Sequence, residues 1–196
     1  AMAYLVVVLE NRNDDRVDED VAELAELATE LGALDLYVLP TGSGAALIDA
    51  REKAFWTAKA NNANDIIDMV VPRGSIPEYL GAVQAIGQDT GSLVVGRGHA
   101  GDGNMHPLIL YDANKPGDLE LCEAFGAEIL KLCVEVGGCL TGEHGVGIEK
   151  RDLMGVQYSV ADMEAQMQVK DVFDPKWLLN PAKVFPLDAT ALRRAG

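Results

Sequence analysis

SLVVGRGHAGDGNMHPLILY, residues 92–111, decides the fold of this 196-residue chain. Gly96, Gly98 and Gly101 satisfy GxGxxG directly after an apolar strand, as a dinucleotide-binding turn does. That turn must open into a helix, so that the helix-terminal amides can meet a pyrophosphate. Here the continuation, DGNMHPLILY, reads as a second strand, and the dinucleotide reading fails. A hairpin takes its place. Asp102-Gly103 is a preferred dipeptide for a two-residue primed turn. Such a turn pairs Gly101 with Asn104, Ala100 with Met105 and His99 with His106. The two imidazoles then stand opposite each other, with Cβ atoms about 5 Å apart, and Asn104 shares their face.

The chain has three histidines, and the third lies in TGEHGVG, residues 141–147. Two histidines facing each other can chelate one metal through neutral imidazole nitrogens. Glu143 would complete a two-histidine, one-carboxylate site with open positions. His144 is then left beside the metal, where an imidazole can take a proton. The plainer reading is two polar residues near a turn and an ordinary flexible loop. Arg51 stands out separately, since Leu47, Ile48, Ala54 and Phe55 surround it at helical spacing. An arginine on an apolar stripe needs an anionic partner: either a structural carboxylate or the carboxylate of a substrate.

Working outward, apolar residues 4–9 predict a strand, and Val17, Val21, Leu24, Leu27 and Leu31 a helix ended by Gly32. Short strands follow over 36–39, 66–71, 93–97 and 105–111, with helices over 46–60 and 76–88. A further helix over 118–136 carries Cys122, Phe125, Ile129, Cys133 and Val136 on one stripe. Residues 150–174 read as helical throughout. Alternating strands and helices of this kind predict a sheet covered by helices.

The net charge is −15, from 16 basic and 31 acidic residues. That excludes a nucleic-acid binder, which needs a basic footprint, and disfavours a direct hold on anionic lipid. No segment approaches the roughly 20 apolar residues of a membrane span. Cys122, Cys133 and Cys139 show no CxxC spacing and read as reduced thiols, which fits a cytoplasmic protein. A buried strand so near the start argues that the chain is cut from something longer.

Three segments together resemble the C-terminal region of the flavin-linked 2-hydroxy-acid dehydrogenases of the vanillyl-alcohol-oxidase type. They are GHAGDGNMHPLILYD (98–112), LCVEVGGCLTGEHGVGIEKRDLM (132–154) and FDPKWLLNPAKVFP (173–186), with a weaker match at AREKAF around Arg51. HPLILYDANKPGD is most similar to the FAD-binding subunit of glycolate oxidase. The resemblance implies an α+β fold: a ferredoxin-like substrate domain over 1–150 and a helical segment over 151–196. It implies FAD held by an upstream domain, and a divalent metal (zinc, iron or manganese) on His99, His106 and Glu143. It also implies His144 as catalytic base, and Arg51 and Asn104 as substrate-binding residues. The substrate would be a small 2-hydroxy acid. Partners would be the FAD domain and other glycolate oxidase subunits, through which any membrane association would arise.

Some positions depart from the family pattern. NNANDIID lacks the lysine of the metal-dependent hydroxyglutarate enzymes, and Leu108 stands where they carry asparagine. Both count against a dicarboxylate substrate. The usual NPGK reads NPAK here, with Ala182. Two other readings stay open: a self-contained metallohydrolase using the same ligands, and a non-catalytic ferredoxin-like binding module.

Overall fold

The computed structural model describes residues 5–40, 42–61 and 63–190, without the side chains of 54–64. The expected strand start at Tyr4 and the last six residues fall outside it. The chain divides into two compact units, residues 1–58 and 59–196. In the first, α1 (Asp14–Glu30) starts at Asn13, whose side chain accepts from the Asp15 amide at 3.0 Å. The second helix, α2 (Ser43–Asn61), begins in this unit. Residues 5–9 and 36–39, expected as strands, carry no regular structure. Their unbroken apolar runs supply the side chains, but a strand also needs a paired backbone.

The second unit is built on strands β1 (Ala63–Ile66), β2 (Met69–Val70), β3 (Leu93–Val95), β4 (Gly98–His99), β5 (Asn104–Met105) and β6 (Leu108–Tyr111). They form two short antiparallel ladders, β1-β6-β3 and β2-β5-β4. The two ladders share one register. Ile66 faces Leu108 and Met69 faces Met105, so Asp68 falls opposite His106. On the other side Val95 faces Leu108 and Gly98 faces Met105, so Arg97 also falls opposite His106. The backbone agrees, because the Ile67 amide donates to the Pro107 carbonyl at 3.0 Å and the His106 amide to the Arg97 carbonyl at 2.7 Å. This is one three-stranded sheet with 104–111 at its centre. The ladder is interrupted at Pro107, which has no N–H to donate.

Between the outer strands runs α3 (Ile76–Thr90), and α4 (Asp118–Glu135) follows the central strand. Both pack on the face that carries Ile67, Met69, Val71, Met105 and Ile109. The stripe expected on α4 is buried there at Cys122, Phe125, Ile129 and Cys133. After α4 the chain returns beside β2, where Val70 and Cys139 exchange hydrogen bonds of 3.1 and 2.8 Å. The order is that of a ferredoxin-like α+β sandwich, with the fourth strand shortened to a single bridge.

The hairpin differs from the expected one. Gly98 pairs with Met105 and His99 with Asn104, so four residues, 100–103, make the turn. Gly103 has φ +77° and its carbonyl accepts from the Val71 amide at 3.0 Å. That bond to the neighbouring strand draws Gly103 out of the primed turn. The register moves by two residues, which leaves every side chain on the face expected for it.

Residues 150–174, expected as helical throughout, form a 3-10 turn (Arg151–Leu153), α5 (Met154–Gln157) and α6 (Val160–Phe173), with a break at Tyr158 and Ser159. Ser159 and Asp162 form a capping box at the start of α6. Met154, Met163, Met167, Trp177 and Phe185 make a second core against Val146. Ala182 sits there at φ +62°, a left-handed conformation that suits glycine. The alanine of NPAK is therefore strained where the common glycine would relax. Ala182→Gly should raise stability, by up to about 1 kcal/mol after the entropy cost of an added glycine. Urea denaturation checks this, and a loss of stability would contradict it.

Candidate metal and substrate site

The sheet face opposite the helices carries Asp68, Asn104 and His106, all buried. Extending the Val70–Cys139 bridge by two residues sets Thr141 opposite Asp68. Its hydroxyl duly donates to Asp68 Oδ2 at 3.0 Å. The chain then wraps around this carboxylate. The amides of Gly142, Glu143 and His144 donate to it at 2.7, 3.2 and 3.2 Å. Lys150 Nζ lies 3.6 Å from Oδ2 and donates to the Asp68 main-chain carbonyl. Only glycine fits at 142, because a Cβ there would overlap the Asn104 amide and press on Asp68. The start of the loop is held from α5, with Gln157 Oε1 accepting from the Leu140 amide at 2.8 Å.

Asp68 is fully buried. Burial alone would raise its pKa, but the three amides and the Thr141 hydroxyl outweigh this and hold it at about 2. Burial also pushes the Lys150 ammonium down, against the pull of Asp68. Burial pushes His106 down as well and so favours the neutral imidazole that metals bind, while Asp68 opposes it.

The loop delivers Glu143 to the histidines. Glu143 Oε1 lies 3.1 Å from His106 Nε2, 3.6 Å from His99 Nε2 and 3.9 Å from His144 Nε2. The His106 ring meets His99 edge-on at 5.4 Å and stacks on His144 at 5.2 Å. His106 turns its other nitrogen, Nδ1, toward Asp68 Oδ1 at 3.5 Å. No hydrogen bond joins them, so the carboxylate stands behind His106 as a nearby charge.

These donors fit a cation. Two ligands bonded at about 2.1 Å in a tetrahedron stand roughly 3.4 Å apart, close to the separations around Glu143 Oε1. Asp68, His106, Glu143 and His144 offer donor atoms within 4.8 Å of one another. Asp68 is the least suited to bind metal, since its oxygens already accept from the loop. An open cleft of about 350 Å³ adjoins His144, lined also by Ile66, Val146, Lys150 and Lys183.

The structure thus brings together five residues singled out in the sequence: His99, Asn104, His106, Glu143 and His144. Asn104 is buried with its Oδ1 unsatisfied among the described residues. Arg51 is exposed on α2, in the other unit, and two of its expected stripe neighbours lie outside the described side chains. Asp68 was not foreseen. Its signal was present in DIIDMVV, where one carboxylate interrupts an apolar strand.

Comparison with known proteins gives the family. The model for FAD linked oxidases, C-terminal domain, matches residues 1–184, and the chain belongs to that family. An uncharacterized FAD-linked oxidoreductase of Mycobacterium tuberculosis (strain H37Rv) is 44% identical over 183 residues. Glycolate oxidase subunit GlcD of Escherichia coli (strain K12) is 36% identical over 195 residues. A D-lactate dehydrogenase of Anaerostipes hadrus is 29% identical over 192 residues. These matches cover 93, 95 and 93% of this chain, but it spans only 39, 38 and 39% of the relatives' lengths.

The depressed pKa of Asp68 links stability to pH. A carboxyl lowered from 3.8 to about 2 stabilises the fold fully above pH 4, and the contribution is lost as pH falls toward 2. It amounts to roughly 2 kcal/mol. Asp68→Asn should be less stable than the parent at pH 7, and the gap should close between pH 4 and 2. Denaturation curves across that range decide; a gap independent of pH would contradict the assignment.

Proposed function

We propose that the chain is the substrate-binding part of an FAD-dependent oxidoreductase that oxidises a small 2-hydroxy acid, glycolate or D-lactate, to the 2-oxo acid. The observation that carries this reading is the convergence of three imidazole nitrogens on one Glu143 oxygen, beside an open cleft. Family membership supplies the flavin, and the names of two relatives supply the substrate class.

In this reading His99, His106 and Glu143 hold a divalent metal (zinc, iron or manganese). The metal would supply Lewis acidity toward the C2 oxygen, making its proton easier to remove. FAD, held by a domain outside this chain, would accept the hydride from C2. Everything else falls to the protein's own groups. His144, beside Glu143 and open to the cleft, takes the C2 hydroxyl proton on Nε2. Asn104, buried on the same sheet face with its Oδ1 unsatisfied among the described residues, orients the substrate. Asp68 stands behind His106 as a charge and takes no part in proton transfer. A cytoplasmic location fits the three free thiols. Among the described residues no helix is long and apolar enough to cross a membrane.

The test is made on the intact flavoprotein. Anaerobic glycolate or D-lactate should reduce the flavin, and a chelator should abolish the reaction. His106→Ala should lose the metal by elemental analysis. His144→Ala should keep the metal while kcat falls by about 10²- to 10⁴-fold, as for loss of a general base. Equal metal retention in both variants would sink the assignment of ligand and base. Ester hydrolysis without flavin reduction would favour a metallohydrolase.

A further inference from the structure

A lysine at the candidate cleft is held by strained backbone. Lys183 is exposed and lines the open cleft beside His144. The residues on either side of it, Ala182 at φ +62° and Val184 at φ +70°, are in the left-handed conformation. For a β-branched residue such as Val184 that is a genuine outlier. Both are tied in place. Arg151 Nη1 donates to the Ala182 carbonyl at 2.8 Å, and the Val184 amide donates to the Gly147 carbonyl at 2.8 Å. Phe185, the next residue, is buried against Trp177. Strain of this kind persists only where the surroundings impose it, and it gathers at ligand sites. Here the ties fasten Lys183 to the loop that carries Glu143 and His144.

The ammonium so presented is uncommitted. Among the described residues Lys183 makes no side-chain hydrogen bond and no ion pair. Lys150, the other cation of the cleft, is buried and held by Asp68. Glu149 lines the same cleft and Glu143 stands beside His144, so the remaining charges there are negative. Ile66, Val146 and Ile148 provide apolar walls, and Gly145 and Gly147 have open space where a Cβ would stand. A cleft of about 350 Å³ with apolar walls, an open edge and one uncommitted cation among its described residues fits a flat ring that takes on negative charge.

The proposed reaction brings such a ring to this place. His144 takes the C2 hydroxyl proton as hydride leaves C2, so the hydride acceptor has to stand beside His144. The hydride carries two electrons and one proton to the flavin, which is reduced. The substrate carbon is oxidised as it forms the carbonyl, and the hydroxyl proton stays on His144. The flavin ring therefore gains one negative charge, which settles around its N1. We propose that Lys183 meets this charge, pairing with the reduced flavin more strongly than with the oxidised one and so raising its reduction potential. A charge near N1 is one of the means by which a protein tunes a flavin, and only differential affinity for the two redox states moves the potential. The inference rests on the flavoprotein reading and adds to it a residue of this chain that touches the cofactor.

The experiment uses the intact flavoprotein as the parent, Lys183→Met and Lys183→Arg, and reads two quantities that need no turnover. One is the flavin reduction potential, by equilibration with reference dyes. The other is the Kd for sulfite, which adds to N5 of the oxidised flavin, bleaches its visible absorbance and leaves the ring negatively charged. Lys183→Met should weaken sulfite binding about ten-fold and lower the potential by about 30 mV, the equivalent of ten-fold for a two-electron couple. Lys183→Arg should recover part of both, with FAD content and Tm as in the parent. Unchanged potential and sulfite affinity in Lys183→Met overturn the proposal. So does a loss of bound FAD, or a rise in KM for D-lactate, with the potential unchanged, since Lys183 would then serve a phosphate or the substrate carboxylate. If both readouts respond to Lys183→Met but no hydroxy acid reduces the flavin, the hydroxy-acid reading fails and the flavin contact stands. An intact protein that holds no flavin overturns both.

Discussion

The site depends on one buried carboxylate. Asp68 accepts from a hydroxyl and three successive amides of the 141–144 loop, and an ammonium stands beside it. A buried charge without such partners would be strongly destabilising. Here the desolvation cost is offset by donors that the fold must supply anyway, because a loop leaving a strand needs acceptors for its own amides. The carboxylate thus fixes the backbone that carries Glu143 and His144. Its other oxygen faces His106 from behind. Removing Asp68 would loosen the ligand set from two directions at once.

Topology explains why these groups meet. In a ferredoxin-like order the last strand lies beside the first, and here it is cut to the Val70–Cys139 bridge. The chain that would have continued as a strand is free to curl over the sheet at Asp68. Helices α3 and α4 occupy the opposite face with Ile67, Met69, Val71, Met105 and Ile109, which leaves Asp68, Asn104 and His106 on the face of the site. The alternation that makes DIIDMVV a strand also decides that Asp68 and Ile67 point to opposite sides.

Much of this was legible in the sequence, for identifiable reasons. The glycines around His99 and His106 announced a hairpin, because a strand after GxGxxG excludes the dinucleotide turn. The face shared by His99, Asn104 and His106 followed from period-two alternation, and it survived a wrong turn length because the slip was even. Turn length itself was not legible. It is set by the bond from Val71 to Gly103, a contact between residues distant in sequence. Asp68 and Arg97 were missed for a related reason. Asp68 sits outside the glycine-rich motifs, Arg97 occupies the variable position between Gly96 and Gly98, and only the pairing of three strands puts both beside His106. The Ala182 substitution became interpretable once its backbone was seen in the left-handed region.

The central claim is that Asp68 organises the metal ligands without being one of them, although its oxygens lie close enough to bind. Anomalous diffraction from crystals of the intact, metal-loaded protein tests this most directly. The account predicts one peak bonded to His99 Nε2, His106 Nε2 and a Glu143 oxygen at about 2.0–2.2 Å, with Asp68 still accepting from the loop amides. A metal coordinated by Asp68, with the 141–144 amides released from it, would contradict the account.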